Sequence, residues 1–272
     1  MNLLHIARRE LKIGFRNPWA YSFMALFTIF SLSLLLIHTQ SVAEGYSSVT
    51  ASMLNLILYL LPLMTLLLGS FSLTAEKEEG SWQLLSTYPI STLEFIAGKY
   101  AGLCALLLTI VAFGYGVTAI LGAVTGSGFR IHEFTLFLMF SAGLVILFLA
   151  IALWIGTLAK NRWQALTYGV AIWFFAIIGW PTILVAVLGL LPYMWIKPAL
   201  VLLTFFNPAE LVRVFVIVKL GGGSALGPEY YEWVRWISQP SGSLLFLAVC
   251  LVWIMLTVGV AHRIWERGRS RG

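Results

Sequence analysis

Six long apolar runs separated by short polar stretches organise the chain: 19–37, 53–75, 100–124, 134–158, 166–190 and 243–261. A helix needs about 20 apolar residues to cross a bilayer, so each run reads as a transmembrane helix. Pro62 and Pro181 fall inside two of them, where neighbouring helices can re-satisfy the carbonyls that a proline frees. Trp19, Trp163, Trp180 and Trp265 sit at or near run ends, the depth at which indole rings anchor a span. The first 17 residues follow another pattern. Leu3, Leu4, Ala7, Leu11 and Phe15 fall near one helical face, and Arg8, Arg9, Lys12 and Arg16 share the remainder. This predicts an amphipathic helix over 1–17, lying in the headgroup region with its basic face towards anionic lipid. Asn17-Pro18 ends it. A cleaved secretion signal would need a charged tip, an apolar core and a small-residue cleavage site, and the segment lacks that order.

The stretch 76–99 interrupts the pattern most sharply. It holds Glu76, Glu78, Glu79 and Glu94, four of the 11 acidic residues, together with Lys77 and Lys99. Glu76 to Thr87 has helical composition. The three glutamates crowd its first turn, where a helix dipole favours anions. Trp82, Leu84 and Leu85 supply apolar positions, and Pro89 breaks the helix. Ser91-Thr92-Leu93-Glu94 then reads as a capping box that starts the third run. The stretch is a short amphipathic helix lying across the membrane plane, or a solvated charged loop.

A second irregular stretch lies between the fifth and sixth runs, over 191–242. Residues 198–218 are largely apolar but include Asn207, Pro208, Glu210 and Arg213, which are costly in mid-bilayer. An extracytoplasmic or re-entrant element is therefore preferred to a seventh span. Asn207-Pro208-Ala209-Glu210 reads as a helix start, with Asn as cap, Pro in the first turn and Glu three residues on. Gly221 to Gly223 ends that helix. Tyr230, Tyr231, Trp233 and Trp236 follow as an aromatic group suited to the interface.

Composition supports the membrane assignment. The chain is 60% hydrophobic and 10% charged, with a mean hydropathy of +0.92, far from the roughly 25% charged residues of a soluble domain. With the N-terminus inside, 12 of the 17 Lys and Arg fall on the inner side, so both termini are expected to be cytoplasmic. All 11 acidic residues are Glu, which removes every Asp-based catalytic scheme. Cys104 and Cys250 both lie in apolar runs and form no CxxC. His5, His38, His132 and His262 are isolated, and no HExxH occurs, so no catalytic residue and no metal-ligand set is expected. The run interiors hold no Glu, Lys or Arg, against the relays of proton-coupled carriers and the charged rings of channels. Gly98-Lys99 is followed by Tyr100 and preceded at the fifth position by Leu93, so it is no phosphate loop. Energy must then come from another chain. Gly98, Gly102, Gly114, Gly116, Gly143 and Gly156 line the third and fourth runs, where small residues permit close helix approach within the chain or between copies.

Several motifs together carry a family resemblance: Ile6-Ala7-Arg8-Arg9-Glu10-Leu11-Lys12, then Arg16-Asn17-Pro18, and Glu76 or Glu78 leading to Gly80-Ser81. Leu84-Leu85, Pro89 and Gly98-Lys99 complete the set. With six spans, the chain resembles the permease subunits of type-2 ABC exporters along most of its length. The resemblance implies an all-α, six-span domain over 1–272 in a prokaryotic cytoplasmic membrane. It implies that 76–99 contains a coupling helix seated in a groove of a cytoplasmic ABC ATPase, through Glu76, Lys77, Glu78, Glu79, Gly80, Trp82, Leu85 and Pro89. ATP and Mg would belong to that ATPase, and the permease would pair with a second copy of itself. Leu85-Ser86-Thr87-Tyr88-Pro89 and the run from Asn207 to Arg213 are similar to a narrower group, the NosY-like permeases of nitrous-oxide-reductase maturation. There the resemblance implies an extracytoplasmic copper-handling partner and a role in assembling a copper–sulfur centre. An ABC-2 exporter of another drug, lipid or ion, and a membrane scaffold without transport, are the competing readings. Nothing in the sequence points to nucleic acid.

Overall fold

The computed structural model describes residues 2–39, 46–80, 91–126 and 130–269, and every regular element among them is helical. In chain order they are α1 (Asn2–Gly14), α2 (Pro18–Thr39), α3 (Ser48–Glu78), α4 (Thr92–Thr125) and α5 (Ile131–Leu158). The continuous run Arg162–Leu190 is α6. Then come α7 (Tyr193–Phe206), α8 (Pro208–Lys219), α9 (Tyr231–Ser238) and α10 (Pro240–Arg269). Six of these, α2 to α6 and α10, are long and apolar enough to cross a membrane. The expected spans are all present. Two run further than their apolar cores, because α3 continues through Glu76 and Lys77 and α4 begins at Thr92.

α3 and α5 form the centre. Lipid tails are as apolar as Leu, so helices in a bilayer associate through close packing rather than through a gain in apolar burial. Glycine provides the approach. A Cβ on Gly69 would lie 2.6 Å from the Ala152 methyl, and one on Gly156 would lie 3.0 Å from the Ser70 carbonyl. Leu66, Leu73, Phe148 and Leu149 fill the seam and are fully buried. α2 packs on α4 in the same way, with Phe27 against Gly114 and edge-on to Tyr115 at 5.4 Å.

α1 does not lie free on a membrane surface along its whole length. Its buried stripe is Ile6, Glu10 and Gly14, while Leu4 is 75% exposed. The expected apolar face of Leu3, Leu4, Ala7, Leu11 and Phe15 is thus rotated by part of a turn. The cause lies on α4: a Cβ on Gly98 would meet Ile6 at 2.8 Å, and one on Gly102 would meet the Ala7 carbonyl at 2.5 Å. The two glycines, one helical turn apart, form a flat strip against which α1 docks.

α6 changes pitch at its midpoint. Residues Phe174–Gly179 are π-helical and lead into Pro181. A proline within a helix removes one donor and its ring crowds the preceding turn, which a wider turn accommodates. One carbonyl of this turn, on Ala176, accepts from Asn207 Nδ2 at 2.6 Å. Asn207 stands at the break between α7 and α8, whose axes are bent by 111°. The two helices therefore form a hairpin whose tip touches the middle of α6, and they do not make a straight seventh span. Trp253, near the middle of α10, holds the same tip by donating to the Phe205 carbonyl at 2.9 Å. Beyond α8, Gly222 packs against the Tyr46 ring and Lys219 donates to the Ile237 carbonyl at 2.9 Å.

Candidate functional site

α1, the end of α3, the start of α4 and the end of α10 gather at one end of the bundle, and most of the charge among the described residues is there. Lys99, two turns into α4, is 1% exposed. A buried ammonium is tolerated only where charge and hydrogen bonds replace its water. Its Nζ lies 2.9 Å from Glu10 Oε2 and 3.2 Å from Glu76 Oε1. It also donates to Ser72 Oγ at 2.7 Å and to the Ser72 carbonyl at 3.2 Å. The Ser72 hydroxyl in turn donates to Glu10 Oε1. Two carboxylates against one ammonium leave an excess negative charge, and Arg9 supplies the balance from the rim, 3.4 Å from Glu76 Oε1. One side chain on α4 thereby ties α1 to α3.

Lys77 performs a separate task beside it. Its ammonium donates to the carbonyls of Gly156, Thr157 and Ala159 at 2.9, 2.7 and 2.8 Å. These are the orphan acceptors at the C-terminal end of α5, where the helix dipole also favours a cation. The Lys77 ammonium lies 5.3 Å from the centroid of the Trp265 ring, and that ring stacks on Phe95 at 5.6 Å. Trp265 is 4% exposed. It is a packing residue joining α10 to α4, not the interface anchor its position at a run end suggests. Trp19 and Trp163 do remain exposed.

Of the residues expected to meet a partner, Glu76 and Lys77 therefore face inward and are bonded within the chain. Glu78 and Glu79 reach the surface. Glu78 accepts from the Arg162 amide at 2.8 Å and pairs with its guanidinium at 3.1 Å, and Glu79 stands 3.7 Å from the same group. Gly80 follows at φ +68°, a left-handed conformation that halts α3 at little cost only for glycine. Trp82, Leu85 and Pro89 lie outside the described residues. On the far side of the connection Ser91 caps α4, its hydroxyl accepting from the Glu94 amide at 3.2 Å.

The second expected group lies at the hairpin tip. Asn207 caps α8 by accepting from the Ala209 amide at 2.9 Å, and Pro208 opens the helix. Glu210 does not close a capping box. It pairs with Arg213 one turn on, at 2.7 Å. Burial keeps the nearby Tyr230 hydroxyl protonated to higher pH than usual, and the Glu210 carboxylate adds to the effect. Sequence reasoning missed the Glu10–Lys99 link altogether. Its signal was present: Glu10 is the lone acid in a basic helix, and Lys99 directly follows a glycine on an otherwise apolar face.

Among the described residues no group of three or more His, Cys, Asp or Glu is arranged to hold a metal ion. The architecture is that of a multi-pass helical membrane protein whose charge, among the described residues, lies mostly at the span ends, on α1 and along the hairpin. Residues 4–267 match the model of the ABC-2 family transporter proteins, and the chain belongs to that family. It is 30% identical over 270 residues to the "Probable ABC transporter permease protein NosY" of Pseudomonas aeruginosa, covering 96% of this chain and 97% of that protein. It is 26% identical over 272 residues to the protein of the same name from Stutzerimonas stutzeri, covering 97% of each.

Proposed function

We propose that this permease works as a homodimer whose movement is driven by separate cytoplasmic ABC ATPase subunits docked on residues 78–89. The observation that supports this reading best is the 3.2 Å contact between Glu76, at the end of α3, and Lys99, at the start of α4. It closes the base of the α3–α4 connection and adds α1 through Glu10. A push on the connection then moves three helices as one body instead of bending a loose loop. ATP and Mg belong to the ATPase, and this chain performs no covalent step. The uncovered apolar faces of α6 and α10 are available to the second copy and to lipid. In this reading both termini face the cytoplasm, and the α7–α8 hairpin enters from the opposite side as a re-entrant element.

The names of the two relatives favour a narrower role. The transporter would support assembly of the copper–sulfur centre of nitrous oxide reductase, with copper handled by an extracytoplasmic partner seated on the region 191–242. The test is co-expression with a candidate ABC ATPase subunit. Charge reversal of Glu78 and Glu79 together, or Trp82→Ala, is expected to abolish co-purification or to uncouple ATP hydrolysis. Full assembly with coupled hydrolysis in both variants rejects the docking site. Deleting the gene in a denitrifying host and finding fully copper-loaded reductase rejects the narrower role alone.

A further inference from the structure

A cavity of about 700 Å³ opens at the terminal end of the bundle between α1, the α1–α2 link, α3 and α6. Its walls are unlike one another. Ile13, Leu68, Phe71 and Leu166 line an apolar side. Trp19 and Trp163, 50% and 78% exposed, stand among its lining residues, and indoles at span ends are the side chains that favour the headgroup region. The rest of the lining is ionic. It contains the guanidinium groups of Arg9, Arg16 and Arg162, the Lys99 ammonium, and the carboxylates of Glu10, Glu76, Glu78 and Glu79. These formal charges cancel, but they are not evenly placed. Arg9, Glu10, Glu76 and Lys99 form a neutral group, buried except for Arg9 at its rim. Outside it, Arg16 is an exposed cation on the α1–α2 side, for which no ion pair is found among the described residues. Glu78 and Glu79 share the single Arg162 on the α3 side, which leaves that wall one negative charge in excess.

A ligand matching these walls carries an anion and a hydrogen-bonding cation close together, attached to an apolar tail. We propose that the cavity binds an aminophospholipid, with its phosphodiester on Arg16, its primary ammonium towards Glu78 and Glu79, and its acyl chain along Leu68, Phe71 and Leu166. A planar guanidinium suits a phosphate oxygen pair, and a primary ammonium offers three donors that a quaternary one lacks. The site borders the Lys99 group, so an occupied cavity would seal the ionic cluster from water at the bilayer edge. The inference needs this end of the bundle to lie at a bilayer surface. It shares Glu78 and Glu79 with the proposed ATPase docking, so lipid binding is measured on the permease purified without the ATPase, and it does not depend on copper.

The full-length protein is extracted into detergent and offered phosphatidylethanolamine, phosphatidylcholine or phosphatidylglycerol of identical chains, and retained lipid is counted by native mass spectrometry. Phosphatidylethanolamine is expected to be held about tenfold more tightly than either other lipid, the factor for losing one charge-assisted contact. Arg16→Gln removes an exposed side chain without altering folding and is expected to weaken retention of all three lipids alike, whereas Glu79→Gln, at another exposed side chain, is expected to remove the preference. Leu247→Ala, on the exposed face of α10, is expected to leave it intact. Equal retention of the three lipids, unchanged retention in Arg16→Gln, or an unchanged preference in Glu79→Gln overturns the proposal. So does soluble phosphoethanolamine binding as tightly as the lipid, because the apolar wall would then contribute nothing. If Arg16→Gln instead loses the co-purifying ATPase and retains lipid as before, the cavity is a protein socket and the proposal fails.

Discussion

Two buried ionic groups, at Lys99 and at Glu210–Arg213, solve the same problem in opposite ways. At Lys99 the partners come from two other helices, α1 and α3, far apart in sequence, and the ammonium touches two carboxylates and a serine. At the hairpin tip Glu210 and Arg213 lie one turn apart on a single helix, and Arg213 keeps a quarter of its side chain exposed. The first group holds helices together. The second neutralises the start of one helix so that it can sit beside apolar spans. Burial alone therefore does not tell what a charge contributes, whereas the number of chain segments it joins does.

The largest test of this contrast is Lys99→Met. It leaves Glu10 and Glu76 buried without their cation, and the loss should be about 3–5 kcal/mol, read as a lowered midpoint of thermal unfolding in detergent. Adding Glu10→Gln and Glu76→Gln to it should recover most of that loss, since neutral side chains carry no unpaired charge. If the triple variant is no better than the single one, the cluster is not acting through charge. Gly102→Leu comes next. It forces a side chain into the Ala7 backbone and should cost about 1–3 kcal/mol, as overpacking does. Hydrogen exchange over residues 2–14 should rise selectively, and unchanged protection there would show that α1 is held by something other than this strip. Arg213→Met breaks a pair confined to one helix and partly open to solvent, so a smaller loss of roughly 1–2 kcal/mol is expected. An effect as large as that of Lys99→Met would erase the distinction between the two groups. The smallest stability effect belongs to Glu79→Lys, at a 64% exposed side chain. It should stay within about 0.5 kcal/mol, while ATPase co-purification falls.

The comparison also explains what was legible in the chain. Apolar runs report where lipid is, so all six spans could be read, as could the Ser91 and Asn207 caps, which depend on neighbours in sequence. The ends of the spans could not. Glu76, Lys77 and Lys99 look like loop residues because hydropathy scores each charge alone, whereas in the fold each is satisfied by a distant helix. The rotated face of α1 failed for the same reason: Glu10 counts as polar and is buried. The π turn before Pro181 was hidden in composition, although the proline itself signals a disturbed ladder. The hairpin tip was half legible. Its polar residues argued against a straight span, but the bond from Asn207 to Ala176 joins positions that no local pattern relates.

Lys77 constrains the possible motions of the centre. Its three bonds fix the end of α5 against one point of α3, and Gly156 and Gly69 interlock the same pair along the seam. Sliding one helix past the other by a single residue, about 1.5 Å, would break all three bonds and drive backbone into side chain. Tilting the pair together disturbs neither. The middle of this protein has its register pinned, so under the proposed ATP-driven cycle a stroke applied near Gly80 would travel along the pair as rotation and not as translation.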